Sequence, residues 1–186
     1  MTQFYYIAAS RELPTGSFGQ KKTVMTLLQY VTEVNPSAKD QLPMQILLEK
    51  YPEGDGLIEV YETEEDAAGL YITGPILDQD SSRVFRHPLV YQVSPENGSF
   101  MINEEISQTH PTSYQTSKKC LTELFNYLNR NVELGEELEL YSSWAHGRER
   151  FTDTPKKELD LVLQLSTFHL GGEFEWKDRQ FIRVRK

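Results

Sequence analysis

The sequence has a single cysteine, Cys120, among its 186 residues. One thiol cannot form an intramolecular disulfide, so the chain is not a disulfide-stabilised scaffold. The first residues contain neither a basic segment nor a long apolar stretch, and they therefore do not predict a signal peptide. No apolar run approaches the roughly 18 residues that a membrane-spanning helix needs. We therefore expect a cytoplasmic protein with no membrane partner.

Basic residues are scarce relative to acidic ones. The chain has 19 lysines and arginines against 28 aspartates and glutamates, which gives a formal net charge of −9 at pH 7. Nucleic acids and anionic membranes are held by basic surfaces, so we expect neither as a partner. Hydrophobic residues make up 38% of the chain and charged residues 25%, which is typical of a soluble globular domain with its own core.

Motifs that would identify a catalytic or cofactor site are also lacking. The chain has no Gly-x-Ser-x-Gly motif, and the glycines before Lys21 and Lys22 lack the spacing of a phosphate-binding loop. Cys120 lies on the apolar face of a predicted helix, where a buried structural role is expected. None of the four histidines has the His-x-x-x-His spacing: His87, His110, His146 and His169. The sequence therefore predicts no metal ion, no cofactor and no catalytic residue.

Hydrophobic periodicity predicts a mixed fold. Alternation predicts strands over 3–9, 57–62, 69–74, 89–94, 99–103, 137–143, 158–168, 172–177 and 180–185. Helical spacing predicts helices over 23–34, 41–51 and 114–130. We expect two hairpins, one through the Asn97-Gly98 turn and one over 172–185. Because strands outnumber helices, we expect an α+β fold with a mainly antiparallel sheet and helices packed on one face.

An internal repeat is a further hypothesis about this single domain, 1–186. When segments 37–61 and 117–141 are aligned at an offset of 80 residues, six of 25 positions are identical. This similarity suggests two duplicated strand-turn-helix-strand-strand units, 1–82 and 83–168, followed by the C-terminal hairpin. The alternative is a chance likeness between two helix–strand segments, which share patterning in many α+β proteins.

The matched strands suggest a binding surface. Glu59 and Tyr61 share one side of the strand over 57–62, and Glu139 and Tyr141 share one side of the strand over 137–143. If the apolar sides pack against helices, the two Glu-Tyr pairs lie together on the other sheet face. Carboxylates beside phenol rings suit an organic cation. The alternative is the ordinary solvated face of an antiparallel sheet.

The segment over 141–151 extends this surface, because it gathers polar and aromatic residues at the end of a strand. The candidate ligand-binding residues are Glu59, Tyr61, Glu139, Tyr141, Trp144 and His146. In element order and length the chain loosely resembles the duplicated effector-binding domains of multidrug-responsive regulators. That resemblance implies small-molecule binding in a central groove, but it assigns no residues.

These observations lead to one hypothesis of function and two alternatives. We expect a non-catalytic, cytoplasmic module that binds a small cationic or aromatic molecule or another protein. The first alternative is a small hydrolase-like enzyme that uses His146 or His169 with a neighbouring carboxylate as acid or base. The second is a structural homodimer closed through the C-terminal hairpin.

Overall fold

The computed structural model describes residues 2–145 and 151–186. Of these residues, 34% are helical and 30% lie in strands, which are mostly antiparallel. The helical share includes a π-helix over Tyr30–Val34 and 3-10 helices over Pro36–Asp40, Gln79–Arg83 and Lys157–Leu159. The strands are β1 (Thr2–Ala9), β2 (Gly16–Phe18), β3 (Thr23–Thr26), β4 (Leu57–Val60), β5 (Gly69–Thr73), β6 (Leu89–Glu96), β7 (Met101–Ile102), β8 (Glu137–Ala145), β9 (Leu161–Gln164), β10 (Phe174–Glu175) and β11 (Phe181–Arg185). The helices are α1 (Leu27–Gln29), α2 (Leu42–Lys50), α3 (Glu64–Ala67), α4 (Glu104–Thr109) and α5 (Pro111–Asn131). The α+β class is confirmed.

The described residues form two compact units. The large unit comprises residues 2–20, 68–145 and 151–186, and the small unit comprises Lys21–Ala67. These boundaries differ from those of the predicted halves 1–82 and 83–168, and the duplication stays a prediction. No helix in the described part of the chain is long and apolar enough to cross a membrane.

The large unit is organised around a seven-stranded sheet with the order β2-β5-β6-β1-β8-β11-β9. Every neighbouring pair is antiparallel except β11 and β9, which are parallel. Helix α5 packs against one side of this sheet, which we call the helix face. The apolar stripe that predicts this helix consists of five residues: Cys120, Leu121, Leu124, Phe125 and Leu128. All are buried there except Phe125, which is partly buried against the same core. Burial of this stripe, rather than intrinsic helix propensity, is what stabilises most helices in proteins.

The opposite side of the sheet, which we call the loop face, is also buried. It carries Tyr6 and Ala8 of β1, Tyr141 of β8 and Phe181 of β11, and these pack with Phe85 and Phe151 from loop segments. The ring of Phe85 has its centroid 6.2 Å from that of Tyr141 and 6.2 Å from that of Phe181. The helices therefore cover one face, as expected, while irregular chain covers the other.

The small unit corrects one predicted boundary. Residues 23–26 form β3 and pair with β4, whereas the periodicity predicted a helix beginning at Thr23. The helix begins at Leu27 because Thr26 caps it: its hydroxyl accepts from the backbone N–H of Gln29, whose side chain accepts from the N–H of Thr26. The β-branched residues before the cap suit an extended strand, and pairing with β4 overrides the helical spacing.

Both predicted hairpins are wrong in their pairing. Strand β6 pairs with β1 and β5, while β7 pairs with β10 in a separate two-stranded sheet. Strand β11 enters the large sheet between β8 and β9 instead of pairing with β10. The turn residue Asn97 adopts a positive φ of 50°, which asparagine tolerates better than most residues. A turn sequence therefore predicts where the chain reverses, but it does not choose the partner of the strand that follows.

Candidate functional site

The predicted surface is divided between the two units. Glu139 and Tyr141 do lie on the opposite side of β8 from Leu138 and Leu140, as the alternation predicted. Both side chains are fully buried, at 0% exposure, so the interpretation of this strand as a solvated face is wrong. Loop segments, and not solvent, cover this side of the sheet.

The other predicted residues have different surroundings. Glu59 belongs to the small unit, where its carboxylate forms an exposed ion pair with Lys22 at 2.5 Å. Tyr61 lies in the same unit and is partly buried. Trp144 is 42% exposed, and its backbone N–H donates to Asp178. His146 lies outside the described residues. The hypothesis that these residues form one binding surface stays a prediction.

Glu139 is the most unusual side chain on the loop face, because it is a fully buried carboxylate in a central strand. Its Oε2 accepts hydrogen bonds from the backbone N–H groups of Arg86, at 2.8 Å, and His87, at 3.2 Å. Its Oε1 is buried and has no hydrogen-bond partner within residues 2–145 and 151–186. Burying a carboxylate destabilises a protein unless its oxygens have hydrogen-bond or ionic partners. A buried carboxylate with partners on one oxygen alone therefore suggests a functional role.

Two further ligating side chains converge on Glu139. We call His87, Glu137 and Glu139 the His87 cluster, because one nitrogen or oxygen atom from each lies within 4.8 Å of the others. Glu137 precedes Glu139 by two residues on β8 and so shares its side of the strand. The Nε2 atom of His87 is buried and has no hydrogen-bond partner in the described part of the chain. The loop that carries His87 is anchored by Phe85, whose ring packs on the sheet beside it.

Glu137 is held by an arginine from the neighbouring strand. Arg185 on β11 lies opposite Glu137 in the β8–β11 register, and its Nε and Nη2 both donate to Oε2, at 3.0 and 2.8 Å. Hydrogen bonding to this guanidinium lowers the pKa of Glu137, and partial burial opposes the effect only in part. Glu137 is therefore ionised at neutral pH.

A cavity of about 400 Å³ adjoins this cluster. Arg86, the neighbour of His87, lines it, and so does Arg183, which lies directly opposite Glu139 in the β8–β11 register. Its remaining polar lining includes Lys157 and Asp160, and its apolar lining includes Val84 and Phe181. Among the described residues, three cationic side chains and one carboxylate line this cavity, which gives the lining a positive balance within an acidic chain.

Sequence reasoning named Glu139 and Tyr141 but missed the partners of Glu139. The spacing of His87 relates it to neither glutamate, and no sequence pattern places Arg183 opposite Glu139. Of the histidines proposed for acid–base catalysis, His169 is exposed and makes no hydrogen bond or ion pair with a carboxylate among the described residues. The signal in the sequence was the alternation of acidic residues on β8 and of basic residues on β11. These residues lie opposite one another only because the two strands are neighbours in the sheet, which the sequence did not predict.

Tyr141 yields a prediction on alkaline stability. Its hydroxyl donates a hydrogen bond to the backbone carbonyl of Asp153 at 2.7 Å. Burial raises the pKa of Tyr141 from 10.0 to about 12. The nearby carboxylates of Asp153 and Asp178 also raise this pKa, whereas Arg179 lowers it. A raised pKa stabilises the fold below pH 10, and this contribution is lost as the pH rises from 10 to 12, because the unfolded chain ionises first.

We therefore expect Tyr141→Phe to reduce the dependence of unfolding free energy on pH between 10 and 12, as measured by chemical denaturation. At pH 7, the difference in unfolding free energy between the wild type and Tyr141→Phe measures the cost of losing the hydrogen bond to Asp153. Equal pH dependence in both proteins would contradict a buried, neutral Tyr141.

The large unit thus combines, on one sheet face, a positively lined cavity and an adjoining cluster of one histidine and two carboxylates. The cavity can hold an acidic group, and the cluster offers nitrogen and oxygen atoms to a cation. Comparisons of this chain with protein-family models, with curated proteins and with solved structures find no match.

Proposed function

We propose that this protein is a non-catalytic small-molecule-binding module whose ligand is a small organic anion, held in the cavity on the loop face. The observation that carries the proposal is the convergence of Arg86, Lys157 and Arg183 on one cavity, in a chain whose net charge is −9. A volume of about 400 Å³ lies in the range of small-molecule sites. Such a local reversal of charge attracts anions and repels cations.

Arg183 is the residue most suited to hold the acidic group. Its guanidinium carbon lies 5.8 Å from the centroid of the Phe181 ring, so its plane is supported by an aromatic neighbour. Its Nε atom is buried and has no hydrogen-bond partner among the residues described. Leaving a buried donor unsatisfied costs about 1–3 kcal/mol. A carboxylate or phosphate group bound there would supply the acceptor in the bidentate geometry that arginine favours.

The apolar part of the lining favours an organic anion over an inorganic one. Val84, Pro155 and Phe181 contribute hydrocarbon and aromatic surface to the same cavity. Ligand sites typically combine such a lining with a few polar groups that orient the ligand. We therefore infer a ligand with one acidic group and a compact apolar or aromatic body.

An anion fits this geometry better than the cationic ligand expected from the sequence. Within the described residues, the carboxylate of Glu59 already has Lys22 as an ion-pair partner, and Oε2 of Glu139 already accepts two backbone hydrogen bonds. In the described lining, a cation in the cavity would meet three positive side chains and Asp160 as the single counter-charge. Protein binding, homodimerisation and acid–base catalysis remain separate predictions.

The proposal is tested by calorimetric titration and thermal shift with benzoate, phenyl phosphate and inorganic phosphate, and with benzylammonium as the cationic control. We expect the two aromatic anions to bind and to raise the melting temperature, phosphate to bind more weakly, and benzylammonium to have no effect. Arg183→Met should weaken the binding of phenyl phosphate at least about tenfold, which corresponds to about 1.4 kcal/mol.

Arg130→Met is the matched control, because Arg130 is an exposed residue of α5 on the opposite side of the sheet. This variant should bind phenyl phosphate as the wild type does. Absence of binding for every anion, or equal affinity in Arg183→Met and the wild type, would refute an anion site in this cavity.

A further inference from the structure

The atoms of the His87 cluster are close enough to share one ligand. One donor atom from each of His87, Glu137 and Glu139 lies within 4.8 Å of the others. Two atoms bound to the same transition-metal ion at about 2.0–2.2 Å are separated by at most about 4.4 Å. Small side-chain rotations, of less than about 1 Å at the ligand atoms, would therefore bring all three into contact with one ion.

The two carboxylates are already oriented by other groups. Oε2 of Glu139 is held by the N–H groups of Arg86 and His87, and Oε2 of Glu137 is held by Arg185. These contacts leave Oε1 of each glutamate outside those hydrogen bonds. Metal-binding carboxylates are commonly fixed in this way, with one oxygen hydrogen-bonded to the protein and the other on the ion.

The unsatisfied atoms of the cluster are an independent indication of a ligand. Oε1 of Glu139 and Nε2 of His87 are both buried and lack a hydrogen-bond partner within the described residues. Glu139 itself is fully buried. Buried polar atoms in folded proteins are nearly always paired, so unpaired atoms on two members of the same cluster favour a shared ligand. A metal ion accepts electron pairs from both at once.

We infer that His87, Glu137 and Glu139 form a binding site for a divalent transition-metal ion such as Zn²⁺ or Mn²⁺. An imidazole with two carboxylates suits these ions, whereas Mg²⁺ and Ca²⁺ prefer sites built from oxygen alone. Two carboxylate groups can supply the charge that balances a divalent ion. Three protein ligands also leave at least one coordination position for a further group. This inference is independent of the proposed anion site.

Neighbouring arginines set the expected strength of the site. Arg183 lies opposite Glu139 and Arg185 is bonded to Glu137, so both place positive charge beside the ion. This charge lowers the affinity relative to a site without arginines. We expect dissociation constants on the order of micromolar for Zn²⁺ and Mn²⁺.

The test is calorimetric titration of the chelator-treated, full-length protein with ZnCl₂, MnCl₂ and MgCl₂, together with elemental analysis after desalting. We expect one equivalent of Zn²⁺ or Mn²⁺ to bind and Mg²⁺ to give no measurable binding. His87→Asn and Glu139→Gln should each weaken Mn²⁺ binding at least about tenfold. The Asn variant retains the backbone N–H that holds Glu139, and the Gln variant retains an oxygen that accepts from both N–H groups, so both should fold.

His169→Asn is the matched control, because His169 is an exposed histidine outside the cluster. It should bind Mn²⁺ with the affinity of the wild type. The inference is overturned if the wild type binds neither Zn²⁺ nor Mn²⁺, or if His87→Asn and Glu139→Gln retain wild-type affinity.

Discussion

Replacing Leu121 by alanine is expected to lower the free energy of unfolding by about 2–5 kcal/mol, the range for buried Leu→Ala changes. Leu121 is fully buried on α5, where it packs in the core between this helix and the helix face of the large sheet. The substitution removes three carbon atoms and leaves a cavity that the sheet, fixed by its hydrogen-bonded strands, fills only in part. Denaturant-induced unfolding followed by circular dichroism measures the change.

Asn126→Ala is the control for this experiment, because Asn126 lies on the exposed side of the same helix. It should alter the unfolding free energy by no more than about 0.5 kcal/mol. If Leu121→Ala lowers the free energy of unfolding no more than Asn126→Ala does, Leu121 is not packed between α5 and the sheet as described.

Gly98→Ala is expected to destabilise the protein by about 1–3 kcal/mol, the usual cost of forcing added volume into a packed site. Gly98 follows β6 and approaches α5 so closely that a Cβ atom would lie 2.8 Å from Sγ of Cys120 and 3.0 Å from the backbone carbonyl of Thr116. The cysteine sulfur can move slightly, but the helix backbone cannot. The turn and α5 must therefore separate. Denaturant-induced unfolding measures the loss.

Gly171→Ala is the matched substitution, because nothing lies within 4 Å of the Cβ atom it would add. It should leave stability unchanged or raise it slightly, since alanine restricts the unfolded chain. Adding Cys120→Ala to Gly98→Ala removes one of the two close approaches and should not restore full stability. Wild-type stability of Gly98→Ala would show that the turn does not pack on α5 as described.

The strongest sequence predictions concerned elements whose pattern is local and long. The apolar stripe through Cys120, Leu124 and Leu128 predicted α5 and its buried face, because an amphipathic helix repeats the same spacing of apolar residues along its length. The alternation in β8 likewise predicted that Glu139 and Leu140 lie on opposite sides of the strand. Neither pattern revealed what covers the loop face. Alternation predicts on which side of a strand a residue lies, but it does not predict which segment of the chain packs against that side.

The candidate site was predictable only in part for the same reason. Glu139 was named from its strand pattern, but the N–H of His87 that it binds lies 52 residues earlier in the chain, in a loop without periodicity. Arg183 and Arg185 face the glutamates only because β11 pairs with β8. The predicted C-terminal hairpin pairs β11 with the strand before it, and that pairing would separate these charges. The cationic lining of the cavity also depends on that pairing.

Local sequence thus determined most of the helical and extended segments and their apolar sides, because periodicity and capping act within a few residues. Residues 23–26 are an exception, since pairing with β4 overrides their helical spacing. Tertiary structure alone decided the order of strands, the burial of Glu139 and the meeting of His87 with two carboxylates. Backbone hydrogen bonds between strands are nearly independent of side-chain identity, so the choice of partner follows from the packing of the whole core. The functional hypotheses for this protein depend on that choice.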